Sequence, residues 1–418
     1  MHHFAYRDGV LHAEDVPLTD LAAAHGTPTY VYARATLRRH FRVMDEALGS
    51  HPRVVCFAVK ANPSLGVLET LGRMGAGADV VSGGELYRAL KAGIPGERIV
   101  FSGVGKTADE MRQALQAGIR AFHLESAPEM ELLDSVAQQL GRVASVSLRV
   151  NPDVDAATHP YISTGMRTNK FGIPMAQAVS LVEDIRRRKG LRLHGVACHI
   201  GSQITQLPPI REAAHKVVGF ARELRSAGHP VREISFGGGL GITYRDETPP
   251  NPAEYARVLA EAVGDSGLSV ILEPGRVIVG NAGVLLGRVL YVKDNGVKTF
   301  VITDVGMNDL MRPALYSAWH QVLPVRQASA DAPQTTVDVV GPVCESADFI
   351  ARDRTLPPLA AGDLICVMSA GAYGFSMASN YNSRPRPAEV MVDGGRAFCI
   401  RSRETYEDLL AHERAMPD

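Results

Sequence analysis

Eight short apolar runs, each set off by turn residues, occupy the first two-thirds of the chain, and they constrain its fold more than any other feature. They are RVVCFAVKA (53–61), GADVVS (77–82), RIVFSG (98–103), AFHLES (121–126), SVSLRVN (145–151), LHGVACHIG (193–201), EISFGGG (233–239) and SVILEPGR (269–276). Between them lie stretches of helical periodicity such as GGELYRALKAG, TADEMRQALQAG and MAQAVSLVEDIRRRKG, with Gly93, Gly118 and Gly190 as helix stops. Apolar strands joined by helices predict a parallel sheet buried on both faces. Eight such units close into a (β/α)8 TIM-like barrel, assigned to residues 28–280. An open doubly wound sheet is the alternative, and the count of eight favours the barrel.

After about residue 280 the texture changes. VLLGRVLYVKD, KTFVITDVG, TTVDVVGPVCES, DLICVMSAGAYG and AEVMVDGGRAFCIR are rich in β-formers with little helical pattern between them. Residues 281–418, joined by 1–27, are expected to form an antiparallel β-sandwich or barrel domain covering the barrel mouth. QASADAPQ (327–334) reads as a surface loop and PPLAAGD (357–363) as a turn.

Composition excludes several functions. Of 418 residues, 44 are Lys or Arg and 45 Asp or Glu, a net charge of −1 that offers no field for nucleic acid or an anionic membrane. No apolar run reaches the ~18 residues that span a bilayer. The N-terminal MHHFAYRDGVLHAED is charged where a signal peptide needs an apolar stretch. Five scattered cysteines (Cys56, Cys198, Cys344, Cys366, Cys399) show no CxxC spacing, which argues against a disulfide framework or a metal site and for the cytoplasm.

Chemistry in such a barrel sits at the C-terminal strand ends. The first strand ends at Lys60, the sixth at His199-Ile-Gly-Ser202, the seventh at the Gly237–Gly241 run and the eighth at Glu273-Pro274-Gly275-Arg276. A glycine turn there, with Gly238 and Gly239 at its centre and Gly275 nearby, is either a tight connection or a phosphate cradle. Its place after strand seven favours phosphate. Lys60 closes an apolar run, and a lysine that loses water must be neutral, paired or covalently attached. It is either a rim lysine that snorkels to water or a nucleophile forming an imine with a carbonyl cofactor. An aldehyde and a phosphate together point to pyridoxal 5'-phosphate. Glu273 is either an ion-pair partner of Arg276 or the carboxylate that keeps the cofactor's pyridine nitrogen protonated. His199 is either a core histidine or a ring stacked on the cofactor.

The chain resembles the fold type III, alanine racemase-like pyridoxal-phosphate decarboxylases, and among them the diaminopimelate decarboxylases. The likeness covers nearly the whole length. It rests on FAVKAN (57–62), GADVVSGGEL (77–86), RIVFSG (98–103), NPDVDAATHPYISTG (151–165), NKFGI (169–173), HIGSQI (199–204), GGGLGI (237–242), EPGR (273–276), CES (344–346) and GAYGFSMASNYNSRPRPAEV (371–390), in that order. The resemblance implies that Lys60 carries the cofactor, His199 stacks on its ring and Glu273 meets its nitrogen. It also implies that Ser202, Gly239 and the Glu273–Arg276 turn hold the phosphate end, with Tyr373 beside phosphate and substrate. Arg276, Arg312 and Tyr316 become the substrate-carboxylate set. Glu345 would meet the distal ammonium, and Cys344 would protonate the reacting carbon. Cys344 and Glu345 would cross the interface of a homodimer with shared active sites.

The substrate follows from charge. A decarboxylase of ornithine or lysine recognises a distal ammonium only, whereas meso-2,6-diaminopimelate carries a distal carboxylate that needs a cation when buried. Arg312 is either a surface ion-pair residue or, with Arg276 and the Tyr316 hydroxyl, the cation that meets it. The expected reaction is decarboxylation to L-lysine and CO2, the last step of lysine biosynthesis. The alternative is a decarboxylase of ornithine, arginine or carboxynorspermidine on the same scaffold. An amino-acid racemase wants a weaker electron sink than Glu273 provides, and a pyridoxal-phosphate carrier needs no second domain.

Overall fold

The computed structural model describes residues 2–155 and 169–416. It divides into two compact units. One takes in Arg38–Thr243 and Glu247–Ile278; the other takes in residues up to Leu37, Tyr244–Asp246 and residues from Val279 onwards.

The first unit is the expected barrel. Its strands are β1 (Arg53–Ala58), β2 (Gly77–Val80), β3 (Ile99–Phe101), β4 (Ala121–Leu124), β5 (Ala144–Asn151), β6 (Leu191–Ala197), β7 (Glu233–Ser235) and β8 (Ser269–Leu272). Each pairs in parallel with the next, and β8 pairs with β1 to close the ring. β2, β3, β4 and β7 are buried along their whole length, which is why they read as largely apolar runs. Val54, Cys56, Val100 and Ile271 form a buried cluster between β1, β3 and β8. At the N-terminal strand ends, Arg120 and His194 pair with the buried Glu233. The helices begin where the sequence provides a capping oxygen. Ser82, Thr107, Ser126 and Asn251 each accept the N–H of a glutamate three residues on, and Thr107–Glu110 and Asn251–Glu254 are reciprocal.

Two of the three expected glycine stops hold: Gly93 and Gly118 follow their helices at φ of +82° and +64°. Gly190 does not. The helix Met175–Arg187 ends at an extended Arg188, and Gly190 is needed for close approach instead. A Cβ there would lie 2.7 Å from the Asp134 carbonyl oxygen, and its N–H donates to Asp134 Oδ1 at 2.9 Å.

The second unit is built on a mostly antiparallel sheet. Its order is Phe349–Leu356, Thr335–Val340, Thr299–Thr303, Gly283–Asp294, Thr29–Ala33, Ala388–Asp393, Arg396–Arg401, with Leu364–Val367 and Val322–Pro324 branching from the long Gly283–Asp294 strand. Two pairings are parallel: Thr299–Thr303 with Thr335–Val340, and Thr29–Ala33 with Ala388–Asp393. The strand Thr29–Ala33, which falls within the residues 28–280 assigned to the barrel, sits in the middle of this sheet, hydrogen-bonded on both edges. A three-stranded antiparallel piece (Phe4–Arg7, Val10–Ala13, Val16–Pro17) packs Leu11 and Ala13 into a core with Val31, Val284, Leu286, Val390 and Val392. Residues 327–334 and 357–363 are loop and turn as expected. Of the segment 151–165, residues 156–165 lie outside the described residues.

The closeness of β1, β2 and β3 sets a test. A Cβ on Gly77 would stand 2.2 Å from the Arg98 carbonyl oxygen and 2.8 Å from Cys56 Sγ, whereas one on Gly84 would meet nothing nearer than 3.8 Å. Gly77→Ala is expected to destabilise the protein by about 1–3 kcal/mol in urea unfolding. Gly84→Ala, in the first turn of a helix, should be neutral or stabilising by up to about 1 kcal/mol. Equal effects of the two would refute the packing argument.

Candidate active site

The C-terminal ends of the barrel strands surround a cavity lined by Lys60, Asp79, Ser102, His123, Arg149, Ala197, Cys198, His199 and Glu273. Lys60 lies in the one-turn helix Val59–Ala61 directly after β1. It is not sealed in: 40% of its side chain is exposed, and Nζ lies 2.8 Å from Oδ2 of the wholly buried Asp79. Burial alone would raise the Asp79 carboxyl, but the charge and hydrogen bond of Lys60 outweigh it and hold Asp79 below its ordinary value. Lys106 makes the contrast. It is more deeply buried and fully engaged, donating to the Gly103 and His123 carbonyls at 2.7 and 2.8 Å and to Glu129 at 2.7 Å. Lys106 is structural, while Lys60 opens towards the cavity.

Glu273 follows β8. Ser235 Oγ donates to its Oε1 at 2.6 Å, and His123 Nδ1 lies 3.5 Å from the same oxygen. Desolvation, reinforced by the Asp79 charge, pushes Glu273 up to about 8. Burial likewise depresses His123 and His199 to about 3, so both rings are neutral across the physiological range. Asp79 Oδ1 and His123 Nε2 are buried without a hydrogen-bond partner among the described residues. A polar cavity wall with these atoms uncommitted suits a polar occupant.

The loops after β6, β7 and β8 are stitched together. Glu273 N–H donates to the Gly237 carbonyl at 2.7 Å, Gly238 N–H to His199 Nδ1 at 3.3 Å, and Ala58 N–H to the Pro274 carbonyl at 3.0 Å. A Cβ on Gly238 would fall 2.3 Å from the Glu273 carbonyl oxygen, and one on Gly239, whose φ is +104°, 2.5 Å from that of Gly201. Only glycine fits there. The N–H groups of Gly239 and Gly275 donate to no acceptor among the described residues. Arg276 Nη2 donates to Ser202 Oγ at 3.1 Å. The donor set therefore fits pyridoxal phosphate: an amine for its aldehyde, a buried carboxyl for its ring nitrogen, and glycine amides with Ser202 for its phosphate.

All the barrel residues expected at the site gather at these strand ends. The sequence did not point to Asp79, Ser102, His123, Arg149, Ala197 or Cys198 in the cavity wall, nor to Ser235 beside Glu273. Asp79, His123 and Arg149 stand inside strands, Ser235 is the last residue of β7, and Asp79 carried the readable signal of a carboxylate within the apolar run GADVV.

In the second unit, Arg312 and Tyr316 begin and end the helix Arg312–Tyr316, one turn apart on one face. Arg312 is buried; its Nη1 lies 3.0 Å from His320 Nε2, and its guanidinium lies 4.6 Å from the Tyr244 ring centroid. Cys344 and Glu345 sit on an exposed loop. Cys344 N–H donates to Asn382 Oδ1 at 2.7 Å, and the Tyr381 hydroxyl donates to Glu345 at 3.2 Å. Tyr373 takes a left-handed φ of +54° between Gly371, where a Cβ would lie 2.0 Å from the Val279 carbonyl oxygen, and Gly374.

A barrel with a strand-end lysine, a buried carboxyl across the cavity and glycine-lined loops after its last strands defines a pyridoxal-phosphate enzyme. Residues 34–280 match the pyridoxal binding domain of the pyridoxal-dependent decarboxylases, and the chain belongs to that family. It is 51% identical to the diaminopimelate decarboxylase of Vibrio cholerae, across the whole of both chains. It is similar to the crystal structure of diaminopimelate decarboxylase from Helicobacter pylori complexed with L-lysine, at 43% identity and a TM-score of 0.91 over 95% of this chain and 99% of that one. It is also similar to the M. jannaschii diaminopimelate decarboxylase in complex with L-lysine, at 37% identity and a TM-score of 0.94 over 100% and 99%. No helix among the described residues is long and apolar enough to cross a membrane.

The buried carboxyl has a measurable signature. Glu273 holds its proton to about 8 against an ordinary 4.5, so the folded state binds more protons than the unfolded chain between those values. Stability from that proton is present below 4.5 and lost as pH rises through about 8. Glu85 and Asp309, both raised by burial to about 7, act in the same direction but at lower pH. The cofactor-free protein is therefore expected to have a lower Tm at pH 8 than at pH 7. Glu273→Gln should flatten that slope, and an unchanged slope would contradict the assignment.

Proposed function

We infer that this chain is a diaminopimelate decarboxylase. It removes CO2 from meso-2,6-diaminopimelate to leave L-lysine, the last step of lysine biosynthesis. The observation that carries the reading is the pairing, in one strand-end cavity, of a half-open lysine held by a buried aspartate with a second buried carboxyl. Pyridoxal phosphate, when bound, supplies an aldehyde for amine capture and a ring that accepts the electron pair left when CO2 departs.

The residues act as follows. Lys60 Nζ would hold the cofactor's aldehyde and could take up or give back a proton there. Asp79 fixes Nζ at the cavity wall and balances its charge. Glu273 would hold a proton beside the ring nitrogen, and the ring would then be a strong electron sink; a racemase is disfavoured for that reason. His199, neutral, offers its ring face to the cofactor, and Ser202, Gly238, Gly239, Pro274, Gly275 and Arg276 form the phosphate end with Tyr373. Arg276, Arg312 and Tyr316 take the substrate carboxylate, Glu345 takes the distal ammonium, and Cys344 Sγ delivers a proton to the reacting carbon.

The working form is a homodimer with shared active sites. The exposure of Cys344 and Glu345 on a loop fixed by Asn382 supports this, since such residues are available to a partner. The compartment is the cytoplasm, which suits five free thiols.

Offered meso-diaminopimelate, ornithine, lysine and arginine separately, the holoenzyme should form product, L-lysine, from diaminopimelate alone. Turnover of ornithine or arginine instead would keep the fold and cofactor but overturn the substrate. Lys60→Ala should lose both the bound chromophore and turnover. Cys344→Ala should keep the chromophore and lose about 10²–10⁴-fold in kcat, the usual contribution of a general acid.

A further inference from the structure

Arg312 is held by a neutral group. His320 is wholly buried, and its Nδ1 lies 2.9 Å from the Met368 carbonyl oxygen. A carbonyl only accepts, so Nδ1 carries the hydrogen and donates. Nε2 is left with a lone pair, and it accepts from Arg312 Nη1 at 3.0 Å. The ring is thus locked in one tautomer by the backbone and aimed at the guanidinium. Tyr244 meets the guanidinium at 4.6 Å and stands edge-on to His320, with ring centroids 5.3 Å apart at 78°. Arg312 is fixed in its plane by His320 and across its face by Tyr244.

The chemistry of the acceptor matters. A carboxylate in the place of His320 would hold Arg312 as firmly but would cancel its charge and compete with any anion it binds. A neutral imidazole orients the fork and leaves the positive charge intact. We propose that His320 is a positioning residue that presets Arg312 for a substrate carboxylate and thereby sets selection for substrates carrying that group. The proposal rests on the reading of Arg312 as a substrate-carboxylate residue. Tyr244 contributes by restricting the guanidinium to one plane.

The test uses the holoenzyme with two inhibitors that differ only in the carboxylate: L-lysine, which retains it, and cadaverine, which lacks it. His320→Asn keeps a donor for Met368 but falls short of Arg312, whereas His320→Gln brings an amide oxygen to the position of Nε2. Loss of a hydrogen bond to a charged group predicts a rise of about 10–100-fold in the L-lysine Ki and the diaminopimelate KM for His320→Asn. Its cadaverine Ki should be unchanged, and His320→Gln should restore most of the loss. Equal weakening of both inhibitors, or an L-lysine Ki unchanged in His320→Asn while Arg312→Met raises it, overturns the role of His320 and leaves Arg312 as read. An L-lysine Ki unchanged in Arg312→Met overturns the reading of Arg312, and the proposal with it. Should His320→Asn fail to fold, His320→Gln decides alone: an L-lysine Ki near wild type supports the proposal, and one as high as that of Arg312→Met overturns it.

Discussion

The pair between Lys60 and Asp79 is the interaction on which the barrel's chemistry depends. Asp79 is wholly buried in β2. An ionised carboxylate in that position is unstable unless a cation stands within hydrogen-bond reach, and Lys60 is that cation. The dependence runs both ways. Lys60 sits in a one-turn helix at the end of β1, so its ammonium is tethered to a strand on the far side of a hydrogen-bonded ladder. A lysine on a free loop would sample many positions; this one is pinned at the cavity wall. The same negative charge helps push Glu273 up, because two carboxylates in one dry cavity resist ionising together. One buried aspartate therefore places the amine and leaves the second carboxyl protonated until a cationic partner arrives.

Much of this architecture is legible from the chain alone, for a physical reason. Strands buried on both faces are mostly apolar, so β2, β3, β4 and β7 announce themselves despite the buried Asp79, His123, Glu233 and Ser235, and their ends point to the loops that carry chemistry. The strand Thr29–Ala33 shows where that logic misleads. TYVYA is as apolar as any barrel strand and precedes a helix, yet it lies at the centre of the other sheet. Burial on two faces is common to both environments, and composition cannot separate them. Gly190 misleads in another way: its glycine is required by the Asp134 carbonyl, a contact between segments more than fifty residues apart.

The polar residues that strand ends do not reveal are the more instructive omissions. Asp79 and His123 lie within strands, where a sequence reading expects packing, and Ser235 closes β7 just ahead of the glycine turn. Their roles depend on three strands converging: Ser102 and Glu273 meet the His123 ring from loops after β3 and β8, and Ser235 reaches Glu273 from β7. Convergence across a closed barrel has no local sequence signature. The glycine turn has one, but its first cause is packing. Gly238 and Gly239 are glycine because the Glu273 and Gly201 carbonyls leave no room for a side chain, and the Gly239 amide that results is open to an anion.

Two of the cations singled out for chemistry, Lys60 and Arg312, are held by opposite devices, and the difference fits the role proposed for each. Lys60 is paired with a carboxylate. In the proposed reaction its amine takes part in covalent chemistry, where a fixed negative charge beside it can balance the charge on the nitrogen. Arg312 has no covalent work and is always charged. Its value to an anion lies in that charge, which an acidic group in the place of His320 would neutralise beforehand. The His320 ring, fixed as a neutral acceptor by the Met368 carbonyl, orients the guanidinium without neutralising it. The partner of a cation thus shows what the cation is for. The carboxylate beside Lys60 balances its charge, and the locked neutral acceptor beside Arg312 fits the proposal that its charge serves a ligand.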